Sequence, residues 1–196
     1  MTPVTEKGNQ TREAILDRAV DLASVEGLEG LTIGRLAAEL QMSKSGLFAH
    51  FGSKQDLQLA TIGAAAARFK ATVVDPALEE PEGAPRLRAL AERYLDQVNN
   101  YSGGCFWAAT SVEYDDRPGP VRDAVAGSLN AWLGELERHA RIAAVDHPER
   151  LAFEIYSLVM GANARYRLTG EERVFEYARK AIEQLLPRRK RGTVGA

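Results

Sequence analysis

The side chains best suited to binding chemistry lie close together in one short segment, residues 31–54. Between Thr32 and Lys54, a single carboxylate, Glu39, accompanies four basic side chains. These basic side chains are Arg35, Lys44, His50 and Lys54. Guanidinium, ammonium and hydroxyl groups at this density suit contact with phosphate oxygens and with the edges of bases. The segment is therefore a candidate surface for nucleic acid.

Two short helices joined by a tight turn are predicted to position these side chains. Thr32 is a good N-cap for the first helix. The apolar face of that helix consists of Ile33, Leu36, Ala37 and Leu40. Residues 41–43 break the pattern, and Ser43 can cap a second helix in which Leu47 and Phe51 repeat at helical spacing. This is the layout of a helix-turn-helix, whose second helix enters the major groove of DNA.

The overall composition is that of a globular protein with an ample core. The chain has 196 residues, of which 45% are hydrophobic and 27% are charged. A net charge of −2 does not by itself indicate a nucleic-acid partner, so the local distribution of charge carries the argument. The acids of the first predicted helix are expected to face away from a duplex. They are Glu13, Asp17, Asp21 and Glu26.

Location and redox chemistry follow from what the sequence contains. No apolar run has the roughly 18 residues of a membrane span, and the polar N-terminus lacks a signal-peptide pattern, so we expect a cytoplasmic protein. A single cysteine, Cys105, excludes an internal disulfide. Its apolar neighbours Phe106 and Trp107 indicate a buried, inert thiol rather than a redox sensor.

Helical periodicity extends over nearly all of the remaining chain. Further helices are predicted at residues 9–26, 53–75, 86–101, 105–114, 118–144, 147–169 and 174–186. Together with the two short helices these make about nine, with no strand and no internal repeat. The sequence therefore predicts an all-α fold.

A family resemblance emerges at the segment LTIGRLAAELQMSKSGLFAHFGSKQDL, residues 31–57. Together with the flanking residues 11–59, it resembles the TetR family of bacterial transcriptional repressors, including the pattern F-x-x-K-x-x-L. The resemblance implies a three-helix DNA-binding domain at residues 1–54. It further implies an effector-binding and dimerisation domain at residues 55–187. The remaining basic tail, residues 188–196, is predicted to be disordered.

The resemblance also assigns roles to individual residues. Thr32, His50 and Lys54 match positions that contact phosphates. Lys44 is the best candidate for reading guanine, because an ammonium group can donate to guanine O6 and N7. Arg35 is a further candidate, with an ion pair to Glu39 as the alternative. The remaining predicted contacts to bases and sugars are Ser43, Ser45, Gly46, Phe48 and Ala49.

Three departures from the family pattern lie in the same segment. Gln41 stands where the turn usually has glycine, so a left-handed backbone there would be strained by about 1–2 kcal/mol. Phe48 replaces the commoner tyrosine and lacks its hydroxyl group. Ala49 cannot donate or accept a hydrogen bond. DNA shape, or residues before Thr11 such as Lys7, would then supply part of the specificity.

An effector cavity would draw on aromatic and polar residues of the C-terminal two-thirds of the chain, although most such residues form the core in any helical domain. Asn163 and Arg167 lie four residues apart on a largely apolar helix, where they would orient a polar or anionic ligand or form interface hydrogen bonds. The complete set of candidates is Tyr94, Tyr101, Phe106, Trp107, Tyr114, Trp132, Tyr156, Met160, Asn163 and Arg167.

The predicted function is a homodimeric regulator. The apolar stripes of 151–167 and 174–186 would form a four-helix interface between two copies. A repressor released from a palindromic operator by a small-molecule effector is the main hypothesis. Left open are an activator, an effector-independent DNA-binding protein, and an interaction module that no longer binds DNA.

An enzyme is the least supported alternative. The sequence contains no nucleophile–base arrangement, phosphate-binding loop or paired-carboxylate motif. Glu113, Asp115 and Asp116 are interpreted as an acidic turn. The three histidines, His50, His139 and His147, lack the spacing of metal ligands, so neither a metal nor a cofactor is expected.

Overall fold

The computed structural model describes residues 6–187, and within this range the chain is almost entirely helical. The helices are α1 (Glu6–Gly30), α2 (Ile33–Glu39), α3 (Lys44–Phe51), α4 (Lys54–Phe69), α5 (Asp75–Ala77), α6 (Ala84–Gln97), α7 (Phe106–Glu113), α8 (Pro120–Ile142), α9 (Pro148–Thr169) and α10 (Arg173–Leu185). No strand occurs among these residues, which confirms the all-α prediction. The predicted disordered tail and the side chain of Lys7 lie outside the described residues.

Several helices differ from their predicted bounds; the one predicted at 86–101, for example, ends at Gln97. Helix α1 continues past the predicted stop, but Gly27 interrupts it with a non-helical backbone (φ 77°, ψ 165°). The long helix predicted at 53–75 ends at Phe69 and gives way to a π-helical turn, Lys70–Val74. Pro76 lies in the first turn of the following α5, and because proline has no N–H to donate to the preceding turn, the regular hydrogen bonding of α4 cannot extend unbroken into α5.

The first of two compact units comprises the residues up to Ala71 together with Val98–Asn130. Its core is built on α1, which packs against α4 and α7. The largest buried side chains of this core include Ile15, Leu28, Leu31, Leu36, Leu47, Leu57 and Phe106. The unit is larger than the domain predicted at residues 1–54, because α4 and α7 share its core. The functional boundary at residue 54 stays a prediction.

The second unit comprises Thr72–Gln97 and the residues from Ala131 onward. Helix α10 packs on α9 and α6. Tyr94 and Trp132 meet edge to face, with ring centroids 5.2 Å apart. The buried residues of α9 and α10 include Leu151, Ile155, Ala162, Val174, Ala178 and Ile182. Most of the apolar stripe that suggested an interface is therefore used inside this unit.

Membrane insertion of a helix finds no support in the described part of the chain. None of the helices between residues 6 and 187 combines the length and apolar character that a bilayer span requires.

Candidate nucleic-acid interface

Helices α2 and α3 are capped and packed as their sequence predicts. The Thr32 hydroxyl accepts a hydrogen bond from the backbone N–H of Arg35 at 3.1 Å. The Ser43 hydroxyl accepts one from Gly46, also at 3.1 Å. Leu36 and Leu47 are fully buried in the core of the first unit. Two helices too short to be stable alone are thus fixed by caps at their N-termini and by the core beneath them.

The turn between α2 and α3 has the left-handed residue that the family pattern implies. Gln41 has φ 54°, which places it in a region that glycine normally occupies. Its N–H donates to Ala38 O at 3.3 Å, and Met42 N–H donates to Ala37 O at 2.9 Å. These two bonds form a Schellman motif, which requires a left-handed residue at this position. Of the two possibilities, a strained left-handed Gln41 or a different turn, the structure has the left-handed Gln41.

The outer face of α3 carries most of the predicted reading residues. Lys44, Ser45 and Ala49 are exposed, and His50 is partly exposed. Phe48 exposes 54% of its surface, an unusual amount for a phenyl ring outside a contact surface. Gly46 lies in the first turn, where its small size brings the backbone close to any molecule docked there. This face presents an ammonium group, a hydroxyl group and apolar surface side by side.

Arg35 lies among carboxylates instead of projecting freely from α2. Its guanidinium group donates to Glu26 at 2.7 Å and to Glu39 at 2.9 Å. Glu39 also accepts from Arg18, which bonds Asp21 at 2.6 Å. The hydrogen bonds to Glu26, and then to Glu39, raise the pKa of Arg35. The structure thus has the ion pair given above as the alternative, and Glu26 takes part in it.

Lys54, at the first turn of α4, is likewise held by a carboxylate. Its ammonium group lies 2.8 Å from Glu29 Oε2. The other oxygen of Glu29 accepts a hydrogen bond from the Tyr114 hydroxyl at 2.7 Å. Lys54 first, and Tyr114 second, lower the pKa of Glu29 to about 2. Burial, followed by this hydrogen bond to Glu29, raises the pKa of the Tyr114 hydroxyl.

A carboxylate from α7 closes on the interruption in α1. Glu113 accepts hydrogen bonds from the backbone N–H of Leu28 at 2.7 Å and of Glu29 at 2.9 Å. Gly27 makes this approach possible, because a Cβ atom there would lie 2.5 Å from Glu113 Oε1. The interpretation of Glu113 as part of an acidic turn is therefore wrong. It is the last residue of α7, and it caps backbone groups 85 and 84 residues away.

The roles of Glu29 and Glu113 were missed by sequence reasoning. Glutamate usually lies at the surface of a protein without a specific partner, so neither residue stands out in the sequence. Their partners are also far along the chain: Lys54 is 25 residues from Glu29, and Leu28 is 85 residues from Glu113. The glycine at position 27 was the one available signal, since it marks a place where the helix breaks and leaves N–H groups to be capped.

The candidate effector residues divide between the two units. Tyr101, Phe106, Trp107 and Tyr114 belong to the first unit, where Phe106 is buried in the core. The members in the second unit are Tyr94, Trp132, Tyr156, Met160, Asn163 and Arg167. Their assignment as ligand contacts stays a prediction.

Asn163 and Arg167 differ in how far they are exposed to solvent. Asn163 is buried, and its Oδ1 has no hydrogen-bond partner within residues 6–187. Arg167, one turn later on α9, is exposed. Asn163 is therefore the one of the two that offers an acceptor inside the second unit.

Within residues 6–187, no group of three or more His, Cys, Asp or Glu side chains is arranged so that it could hold a metal ion. Cys105 is buried at the N-cap of α7. His139 is also buried, and it contacts Glu135 and the backbone N–H of Gly83.

Comparison with sequence families gives two adjacent matches. Residues 15–61 match a family described as bacterial regulatory proteins, tetR family. Residues 83–182, half of the chain, match a tetracyclin repressor-like C-terminal domain. No curated protein sequence matches the chain significantly.

Solved structures share the fold over nearly the whole chain. A TetR transcriptional regulator from Legionella pneumophila matches with a TM-score of 0.80 at 21% identity, covering 95% of this chain and 100% of the other. A TetR-family regulator from Streptomyces coelicolor matches with 0.76 at 26%, covering 89% and 94%. AibR, in complex with isovaleryl coenzyme A and operator DNA, matches with 0.72 at 22%, covering 90% and 98%.

Proposed function

Since this chain belongs to the TetR family of bacterial regulatory proteins, we propose that it is a repressor that binds a palindromic operator as a homodimer and leaves it when a small molecule binds. Family membership makes it a transcriptional regulator with a DNA-binding helix-turn-helix, not an enzyme. Our proposal adds to this that the protein represses transcription, binds a palindromic operator and responds to a small-molecule effector. Because bacterial DNA lies in the cytoplasm, the proposal also places the action of this protein there.

The exposed face of α3 is the observation that carries the proposal. Lys44, Ser45, Phe48 and Ala49 project from a short helix that caps and core packing hold rigid. A rigid helix of this length fits the major groove, where Lys44 would donate to guanine and Phe48 would contact sugars or thymine methyl groups. The Thr32, His50 and Lys54 side chains would fix the orientation through phosphates.

A second copy would cover an exposed apolar groove on α9 and α10. The groove is lined by Phe153, Glu154, Ser157, Leu158, Ala181, Gln184 and Leu185. Phe153 exposes 64% of its surface and Leu185 exposes 37%, both unusually high for large apolar side chains. The homodimer through 151–167 and 174–186 therefore remains our proposal, through the part of these stripes that stays exposed, with Leu158, Ala181 and Leu185 in the groove.

The effector would bind in the second unit. The buried Oδ1 of Asn163 offers an acceptor there, and an unmatched buried acceptor is unfavourable until a donor reaches it. AibR has this fold and has been solved with isovaleryl coenzyme A and operator DNA together, so the fold accommodates both kinds of ligand. The chemical class of effector for this chain is left open.

Selection of bound duplexes from a random pool tests the DNA-binding part of the proposal. The wild-type protein is expected to enrich a palindromic sequence, whereas Lys44→Ala shifts the preference at one base pair of each half-site. Lys54→Ala is expected to weaken binding to all sequences by a similar factor, because phosphate contacts do not depend on sequence. Enrichment of no sequence by the wild-type protein would refute the proposal.

A reporter carrying the selected sequence tests the repression part. Expression of the protein is expected to lower transcription from a promoter that contains the site. A rise in transcription would identify an activator, the main alternative.

A further inference from the structure

We propose that Glu29 competes with DNA phosphate for Lys54 and so lowers the affinity of this protein for all DNA. The inference rests on the proposed function, since it concerns the strength of the same DNA contact. It goes further by assigning a role in DNA affinity to a carboxylate that neither the sequence pattern nor the family match singles out.

Lys54 already forms an ion pair with Glu29. Its ammonium group lies 2.8 Å from Glu29 Oε2, and both side chains are about two-fifths exposed. A phosphate oxygen that approaches Lys54 must therefore take it from a carboxylate of the same protein. In an ordinary protein–DNA contact, the lysine exchanges only water or a mobile ion for phosphate.

Glu29 cannot easily move aside. Its backbone N–H is bound by Glu113, and its Oε1 accepts a hydrogen bond from Tyr114. The buried Gln58 donates to Leu28 O at 2.7 Å and to the Tyr114 hydroxyl at 3.2 Å, which fixes both ends of the arrangement. Helices α4 and α7 together hold the carboxylate beside Lys54.

The carboxylate of Glu29 also remains charged near neutral pH, both while Lys54 is bound to it and after Lys54 turns away. Lys54 first, and then Tyr114, lower its pKa to about 2, and a glutamate without such partners still has a pKa of only about 4.3. Protonation near neutral pH therefore does not relieve the competition. Once Lys54 turns to a phosphate, the negative charge of Glu29 stays next to the DNA backbone.

The salt dependence of binding should reveal this exchange. A lysine that binds phosphate normally releases about 0.9 cation from the DNA. When the same lysine leaves a carboxylate, the unpaired negative charge stays beside the DNA backbone and retains part of the cation density that the contact would otherwise release, so the net release is smaller. Removing the carboxylate should therefore make the salt dependence steeper, by at most about one unit of slope.

Fluorescence anisotropy with a labelled 30-base-pair duplex of arbitrary sequence tests the inference, because phosphate contacts are independent of sequence. Glu29→Gln is expected to bind about two- to fivefold more tightly than wild type, in proportion to an exposed ion pair. It should also show the steeper salt slope. Glu29→Asp keeps the charge but shortens the reach to Lys54, so it is expected to show an intermediate gain.

Two controls separate competition from a general change of charge. In a Lys54→Ala background, Glu29→Gln should tighten binding much less than in wild type, because only the repulsion between the carboxylate and the DNA backbone remains to be removed. Asp116→Asn removes an exposed carboxylate two residues beyond Tyr114 and is expected to leave the affinity within about 1.5-fold of wild type. Thermal unfolding of each variant confirms that the fold is intact.

The possible results distinguish failure of the proposed DNA-binding function from failure of the proposed competition by Glu29. If wild type fails to bind the duplex at low salt, the proposed function itself fails. If wild type binds and Glu29→Gln binds no more tightly, only the competition is overturned. The competition is also overturned if the gain persists undiminished in the Lys54→Ala background, since it would then come from the electric field of the carboxylate alone.

Discussion

Gln41 shows how a single residue can hold a strained backbone within a family motif. The Schellman bonds that end α2 require a left-handed residue, and Gln41 adopts this conformation at φ 54°. Its Cβ atom makes that conformation unfavourable by about 1–2 kcal/mol. The strain persists because Leu36 and Leu47, on either side of the turn, are fixed in the core.

We expect Gln41→Gly to stabilise the protein. Relief of the left-handed strain outweighs the extra freedom that glycine gives to the unfolded chain, for a net gain of about 0.5–1 kcal/mol. The thermal midpoint should rise by about 1–3 °C. Gln41→Ala retains a Cβ atom and serves as the control, with an unchanged midpoint. A lower midpoint for the glycine variant would contradict the assignment of strain.

His139 makes the stability of the second unit depend on pH. The ring is fully buried, with Nδ1 accepting from Gly83 N–H at 3.4 Å and Nε2 lying 3.1 Å from Glu135. Burial, and then the charge of Arg138, lower its pKa, with a smaller contribution from Arg86. Glu135 opposes the shift without cancelling it.

The folded state therefore binds this proton less readily than the unfolded state does. Stability from His139 is fully present above the ordinary histidine pKa of about 6.5 and declines as the pH falls below it. Urea unfolding at pH 7.5 and pH 5.5 should show a larger decline for wild type than for His139→Gln. His147→Gln, at an exposed histidine, should retain the decline of wild type. Equal declines in wild type and His139→Gln would exclude His139 as the source.

At the scale of single residues, the sequence predicts contacts between near neighbours and misses those between distant ones. Thr32 and Ser43 were identified as caps because a cap and its partner lie three residues apart. The partners of Glu29 and Glu113 could not be identified, because their contacts depend on how α1, α4 and α7 pack. The family pattern marks Lys54, but it does not reveal the carboxylate that holds it.

Helix α1 forms the centre of the core of the first unit, because α4 and α7 both pack against it. Its interruption at Gly27 is needed for the contact with α7. The backbone there, at φ 77° and ψ 165°, is nearly exclusive to glycine. It turns the N–H groups of Leu28 and Glu29 toward Glu113 on α7. The break thereby becomes a junction between two helices far apart in the sequence.

Gly27→Ala is expected to destabilise the first unit by at least about 2 kcal/mol, because the new Cβ atom meets both an unfavourable backbone and the Glu113 carboxylate. Glu113→Gln should lose about 1 kcal/mol, since an amide cannot accept from both N–H groups as a carboxylate does. In the double variant, the loss of unfolding free energy measured with urea should be smaller than the sum of the two single losses. Wild-type stability of Gly27→Ala would contradict this account.

Periodicity predicted which elements exist more reliably than where they end. The helix expected at 53–75 becomes α4, a π-helical turn and α5, because the effect of Pro76 extends back into the preceding turn. Gly103, in the gap between the helices predicted at 86–101 and 105–114, has a tertiary role. A Cβ atom there would lie 1.8 Å from Ser24 O, so the loop before α7 needs glycine to dock on α1. Such a requirement is invisible until both segments are placed.

For the whole molecule, the apolar stripes of 151–167 and 174–186 serve two purposes that periodicity alone cannot separate. Leu151, Ile155 and Ile182 are buried within the protomer. Leu158 and Leu185 belong to the same stripes but line the exposed groove beside Phe153. A helix packed in the protomer core on one side can present a second apolar face to solvent, and this exposed face is the one that our proposal assigns to a second copy.

That face gives the prediction with the widest consequence. Phe153→Glu and Leu185→Glu each place a charge where the proposed interface would exclude water, so both should yield monomers in analytical ultracentrifugation. A monomer carries one reading helix, so affinity for the selected palindrome should fall at least tenfold. Val112→Glu makes the same change at a valine on α7 that is 75% exposed and should remain dimeric. If both groove variants keep the dimer mass, the interface lies elsewhere on the molecule.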